Sequence, residues 1–216
     1  GSAAGFGSSF PINRSLTTKD MGFATMKFNS VAAQMSRGKL EKSVAFGLAS
    51  VAGTLSKLAS DVCLYMNQNF GFVSFPKELT TGSSIMPHKQ NPDVFELIRA
   101  KCNKIQNLPT EITMITNNLT SGYHRDLQLL KESFMNGIDE LKDNLETCDF
   151  MLQHIQINPN ILDNPMYDYL YSVESVNEMV INGDSFRDAY QTLAKQIDSG
   201  QYIPNKKVEH THEGSI

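Results

Sequence analysis

The sequence predicts an all-α fold, a bundle of long helices followed by a small helical C-terminal domain. Three observations predict it. Apolar residues recur in alternating steps of four and three over separate long stretches. No strand-like alternation of any length competes with them. Asn-Pro punctuation at 158–160 and 164–165 separates those stretches from shorter helical ones.

The first long helix is marked by Val44, Leu48, Val51, Leu55, Leu58, Val62 and Tyr65. They form one apolar stripe on a helix of roughly 30 residues, about 45 Å long. Gly47 and Gly53 lie inside it, each about 1 kcal/mol less favourable than Ala. They are read as points of close helix approach or as tolerated weak spots. The second helix is expected to start at Pro92, with Asn91 as its cap, and carries Phe95, Ile98, Cys102, Ile105, Leu108, Ile112 and Ile115. Pro109 should kink or break it. The third is expected over 126–155, with Phe134, Ile138, Leu141, Leu145, Cys148, Leu152 and Ile155 in the same rhythm. Such stripes pack at shallow crossing angles, as in bundles. Asn158-Pro159-Asn160 and Asn164-Pro165 then punctuate the chain, and shorter helical stretches follow over 166–180 and 185–199. Gly183-Asp184-Ser185 serves as break and cap between them. A boundary is expected near Asn164, giving a bundle piece over 1–163 and a small helical piece over 164–216.

Composition narrows the function. At 216 residues the chain is long enough for a sizeable core, and 40% hydrophobic with 19% charged residues fits a soluble globular protein. A net charge of −4 argues against a general nucleic-acid binder, and no apolar run is long enough to span a membrane. Cys63, Cys102 and Cys148 lack metal-ligand spacing and read as reduced core thiols of a cytoplasmic protein. There is no Trp, and 10 Met suit gap-filling between helices.

The chemistry concentrates in Gly82-Ser83-Ser84-Ile85-Met86-Pro87-His88-Lys89-Gln90-Asn91-Pro92, followed by Asp93 and Glu96. Thr80, Thr81 and Gly82 break the preceding pattern, and Pro87 keeps the segment out of a helix. The loop ends on the positive end of a helix, where a carboxylate is stabilised. Lys89 adds a full positive charge and Asn91 an amide donor. The plainer reading is a Ser/Pro/Asn connector between helices. The segment is not a P-loop, since the Gly-Lys-Ser/Thr ending is missing.

This stretch resembles the signature loop of the fumarase/aspartase superfamily, GSSxMPxKxNPxxxE. The run through Asn91-Pro92-Asp93-Val94-Phe95-Glu96-Leu97-Ile98-Arg99-Ala100-Lys101 narrows the resemblance to argininosuccinate lyases. A second patch, Asn118 through Glu132, resembles that family's LPxxYxxDLQxxKE segment. The resemblance implies a carbon–nitrogen lyase that splits argininosuccinate reversibly into arginine and fumarate, without a cofactor. Ser83 matches the catalytic base, and Ser84 belongs to the same substrate-facing pair. Lys89 and Asn91 match the residues that grip the succinyl carboxylates. Glu96 matches the carboxylate paired with a catalytic His; without the resemblance it is an ordinary first-turn acid. Tyr123, Gln128 and Lys131 match substrate contacts, and they favour argininosuccinate over fumarate, aspartate or adenylosuccinate. Their plainer reading is a helix start with a solvated basic face.

His88 stands where many argininosuccinate lyases have Gln. His124 reads as a surface residue. His210 and His212 read as solvated rather than as a metal pair, and residues 1–7 are not a dinucleotide loop, since no strand precedes them. Gly1-Ser2 reads either as an appended dipeptide or as part of a run through Pro11-Ile12-Asn13-Arg14 that resembles an internal family segment. The chain is therefore expected to be a C-terminal portion of a longer polypeptide. The catalytic His segment and the upstream anion-binding loops of the family have no match here, so the piece is expected to be inactive alone. The resemblance implies a homotetramer with active sites shared between subunits. The alternatives are another lyase of the superfamily, such as adenylosuccinate lyase or fumarase, or a non-catalytic helical relative.

Overall fold

The computed structural model describes residues 2–215; Gly1, one half of the Gly1-Ser2 reading, lies outside them, as does Ile216. The fold is all-α. Among the described residues the α-helices are α1 (Arg14–Asp20), α2 (Ser30–Gln34), α3 (Lys39–Tyr65), α4 (Asp93–Gln106), α5 (Leu108–Thr116), α6 (Leu130–Leu152), α7 (Ser172–Ile181) and α8 (Phe186–Asp198). Short 3-10 turns join several of them. Among the described residues the one sheet pairs β1 (Val73–Ser74) antiparallel with β2 (Gln156–Ile157), two residues each. The chain forms two compact units, divided between Ile157 and Asn158.

In the first unit α3 packs along α4 and α5, and α6 lies against all three. The larger core gathers Ala52, Leu55, Ala59 and Val62 of α3, Phe75, Phe95, Ile98, Cys102 and Ile105 of the α4 side, and Leu141, Cys148 and Met151 of α6. A second cluster, Ala45, Leu108, Ile112, Leu127 and Leu130, closes the other end. The stripe expected on α3 is corrected by this packing. Its buried side is Ala45, Ala52, Leu55, Ala59 and Val62, while Val44 and Val51 are exposed. Three alanines seven apart let the neighbouring helices approach closely. Leu40, Val44, Phe46, Val51 and Leu64 stay on the surface of the single chain.

The second stripe divides at Asn107. Pro109 sits in the first turn of α5, where its missing N–H leaves no hydrogen bond unmade, so the break comes just before it. The third stripe starts later than expected, because residues Arg125–Gln128 form a 3-10 turn ahead of α6. The short helices α1 and α2 lacked a long stripe; Asn13 and Asn29 cap them by accepting from Leu16 and Ala32 N–H, each at 2.9 Å. Arg14 then clamps the intervening loop by donating to the carbonyls of Lys27 and Phe28, both at 2.7 Å.

The second unit packs α7 on α8 around Val176, Ala189 and Leu193. Ser185 caps α8 by accepting from Asp188 N–H, and Asn164 caps the 3-10 segment Pro165–Tyr171. Lys206 holds the segment after α8, 2.9 Å from Asp168 and donating to Leu162 O at 2.7 Å.

Candidate functional site

The loop from Gly82 to Pro92 is pinned at its neck. Thr81 and Asn91 form an isolated antiparallel bridge, with Asn91 N–H donating to Thr81 O at 2.8 Å. Asn91 Nδ2 donates to Gly82 O at 3.3 Å, and Asp93 Oδ1 accepts from Thr81 N–H at 3.2 Å. This corrects the expected cap. The side chain of Asn91 gives one of its two amide hydrogens to the loop neck, Pro92 occupies the cap position, and Asp93 is the first residue of α4.

Within the loop, the backbone N–H groups of Ile85 and Met86 donate to Ser83 Oγ at 3.3 and 3.2 Å. Two amide donors on one hydroxyl oxygen favour the oxygen when it carries negative charge. Ser83 is half-buried; Ser84 and Lys89 are exposed. Glu96 is exposed one turn into α4.

A cavity of about 540 Å³ lies on one side of the loop, lined by His88, Lys89, Gln90 and Asn91 together with Cys63, Asn67 and Gln68 at the end of α3. Sequence reasoning missed the α3 contribution, because Asn67 and Gln68 sit in no recognisable motif. Burial pushes the Cys63 thiol up, opposed by the Arg99 guanidinium and aided by Glu96. That places both charges within electrostatic reach of the cavity wall.

The second patch is elsewhere. Gln128 Nε2 donates to Tyr123 Oη at 3.3 Å, and His124 Nε2 meets Thr120 O at 2.7 Å. Lys131 is exposed in the first turn of α6. This patch abuts the start of α3, where Arg37 donates to Leu127 O, while the Ser83 loop abuts its end at Cys63 and Met66. The 27 residues of α3 span about 40 Å at 1.5 Å each. One chain therefore brings Lys89 and Asn91 together, and Tyr123 and Gln128 together, but holds the two groups apart.

Residues 1–107 match the family model described as lyase. The argininosuccinate lyase of Parabacteroides distasonis is 57% identical over 216 residues, all of this chain and 48% of its own length. The chain is similar to argininosuccinate lyases along its whole length. It spans about half the length of such curated relatives. The Xylella fastidiosa argininosuccinate lyase is 40% identical over 199 residues, 92% of this chain and 44% of its own. Solved structures share the fold. An EDDS lyase in complex with formate has a TM-score of 0.75 at 22% identity, over 93% of this chain and 41% of that one. A fumarate lyase:delta crystallin from Brucella melitensis has a TM-score of 0.67 at 19% identity, over 85% and 40%. Among the described residues no helix is long and apolar enough to cross a membrane.

Proposed function

We propose that the chain supplies two of the substrate-handling segments of an argininosuccinate lyase, a cytoplasmic enzyme that splits argininosuccinate reversibly into arginine and fumarate. The observation that carries the reading is the pair of backbone amides on Ser83 Oγ, in a loop pinned beside Lys89 and the start of α4. A serine hydroxyl is a poor base unless its anion is stabilised, and these donors do so, with the ammonium of Lys89 carried by the same loop.

Ser83 takes the proton from the carbon beside a succinyl carboxylate. The electron pair moves into that carboxylate, whose extra charge Lys89, Asn91 and Ser84 hold. The carbon–nitrogen bond then breaks, the guanidino nitrogen receives a proton, and fumarate remains. Glu96 orients and charges an imidazole that comes from outside this chain. Tyr123, Gln128 and Lys131 hold the remainder of the substrate, Tyr123 and Gln128 by hydrogen bonds and Lys131 by charge.

The two patches stand about 40 Å apart along α3, too far for one substrate molecule. The reading therefore requires subunits packed side by side in opposite directions, so that the loop of one meets the patch of another. Exposed Leu40, Val44, Phe46 and Val51 on α3 and Met135 and Leu145 on α6 supply apolar surface for such packing. A homotetramer built on the long helices of the first unit satisfies this.

The test is fumarate absorbance with the full-length protein, offered argininosuccinate, adenylosuccinate and malate separately. Fumarate release from argininosuccinate alone is expected. Turnover of adenylosuccinate or malate instead would move the assignment to another lyase of the superfamily. No turnover of any of them would favour a non-catalytic relative.

A further inference from the structure

At the start of α3 a group of side chains reaches across the chain to the second patch. Glu41 Oε2 accepts from Gly38 N–H at 2.7 Å, and Glu41 Oε1 accepts from Arg37 Nε at 3.0 Å. Both carboxylate oxygens are thus occupied, and the guanidinium is fixed in direction. Its Nη2 donates to the carbonyl of Leu127 at 3.3 Å, 90 residues further along the chain. Leu127 is buried and lies in the 3-10 turn Arg125–Gln128. The next residue is Gln128, whose amide meets the Tyr123 hydroxyl.

Leu119 and Leu127 pack this segment, 117–129, into the second core cluster, but few hydrogen bonds hold its backbone. Its other hydrogen bonds are local, such as His124 to Thr120 and Leu129 N–H to Asp126 O. Among the described residues, Arg37 makes the one side-chain hydrogen bond that reaches this segment from another part of the chain. The junction is also tight. Gly38 has φ +79°, and a Cβ there would lie 2.4 Å from Thr116 Cγ2 and 3.7 Å from Leu127 Cδ2. The start of α3, the end of α5 and the 125–128 turn therefore meet with no slack.

We infer that Arg37, locked by Glu41, is a positioning residue for substrate binding: it sets the 125–128 turn so that Tyr123 and Gln128 face the substrate together. It touches no substrate itself. An Arg fits the task because its planar fork donates in two fixed directions at once, to Glu41 and to Leu127 O. Lys has one rotatable ammonium and fills one of the two contacts. The inference rests on the proposed role of the Tyr123–Gln128 patch.

The experiment measures kcat and KM for argininosuccinate in the full-length protein for Arg37→Ala, Arg37→Lys, Gln128→Ala and the double variant Arg37→Ala/Gln128→Ala, with thermal melting of each. Arg37→Ala is expected to raise KM about tenfold with a smaller change in kcat, as loss of binding orientation should. Arg37→Lys should recover part of that loss. The double variant should fall well short of the product of the two single effects, because much of what Arg37 does runs through Gln128. A general loss of stability does not produce this non-additivity. Effects that multiply, or an unchanged KM in Arg37→Ala beside a raised KM in Gln128→Ala, overturn the positioning role. An unchanged KM in Gln128→Ala overturns the patch reading beneath it, and the positioning role with it. If Arg37→Ala does not fold, Arg37→Lys and its double with Gln128→Ala carry the same comparison. There KM should rise about threefold, and a multiplying double variant overturns the inference.

Discussion

Ser83 and Ser84 are chemically identical neighbours, and their surroundings separate them. Of the two, Ser83 Oγ receives two backbone N–H donors, so the proposed base is its hydroxyl. In the full-length protein Ser83→Ala should lower kcat about 10²–10⁴-fold with little change in substrate affinity, whereas Ser84→Ala should act mainly on KM. Near-normal kcat in Ser83→Ala with a collapse in Ser84→Ala, read by fumarate absorbance, reverses the assignment. The thiols are a different case. Burial raises Cys102, with further upward contributions from Cys148 and Glu140, and burial likewise raises Cys148. The thiolate is the nucleophile, so both should resist alkylation in the folded chain at neutral pH. The same shift sets a pH dependence. A thiol raised in the folded state keeps its proton there after the unfolded chain has lost it. Its stabilising contribution is complete below the ordinary thiol value of about 8.5 and is lost as pH rises through the folded value. Melting temperature should therefore fall above about pH 8.5, and Cys102→Ala should flatten that fall. A slope unchanged in the variant removes the thiol from the explanation.

At the level of elements, helix existence was legible in the sequence because a four-three stripe reports burial directly. Choice of face was legible only in part, since Leu55 and Val62 of the α3 stripe are buried and Leu48 and Leu58 pack against the core. Val44 and Val51 belong to the stripe yet lie on the surface, while Ala45, Ala52 and Ala59 carry the contact. A small residue gives a weak hydrophobic signal and a strong packing one, since it sets how near two backbones come. The start of α4 was misplaced by one residue for a related reason. Asn91 is a good cap in isolation, but the bridge to Thr81 and the bond to Gly82 claim it. The sequence carried a usable sign for the start of α3: Gly38 followed three residues later by Glu41 is half of a capping box, and Glu41 does reach back to Gly38 N–H. The site was legible as two motifs and not as two places, because nothing in a linear pattern says that one abuts each end of α3. The glycines give a test at this scale. A Cβ at Gly47 meets nothing within 4 Å, so Gly47→Ala in the 216-residue chain should raise stability by roughly 0.5–1 kcal/mol. Gly38→Ala should destabilise by at least about 1–3 kcal/mol, from its positive φ and the collision with Thr116. Chemical denaturation measures both, and equal effects at the two sites contradict the packing described here.

For the whole molecule, a separation of about 40 Å means, on the proposed reading, that loop and patch of one chain serve different sites. The 216-residue chain alone should release no fumarate from argininosuccinate, since the proposed mechanism takes the imidazole partner of Glu96 from outside it. Turnover at ordinary enzyme rates would show that an acid/base group within this chain had been overlooked. In the full-length protein the shared-site reading makes a sharper demand. Take one variant inactive through its loop, Ser83→Ala, and one crippled through its patch, Gln128→Ala combined with Lys131→Ala. If loop and patch met within one chain, every site in a mixed assembly would keep one defect, and mixing would restore nothing. If they meet between chains, a fraction of sites takes its loop from the patch variant and its patch from the loop variant. For random equal mixing that fraction is about one quarter. Unfolding the two variants together and refolding them should therefore return activity toward a quarter of normal, and the same proteins refolded apart and then mixed should return little. Recovery that depends on refolding together identifies subunit exchange. No recovery, from variants shown by light scattering to have mixed, would put loop and patch in the same chain and would require the first unit to bend far from the geometry of a straight α3.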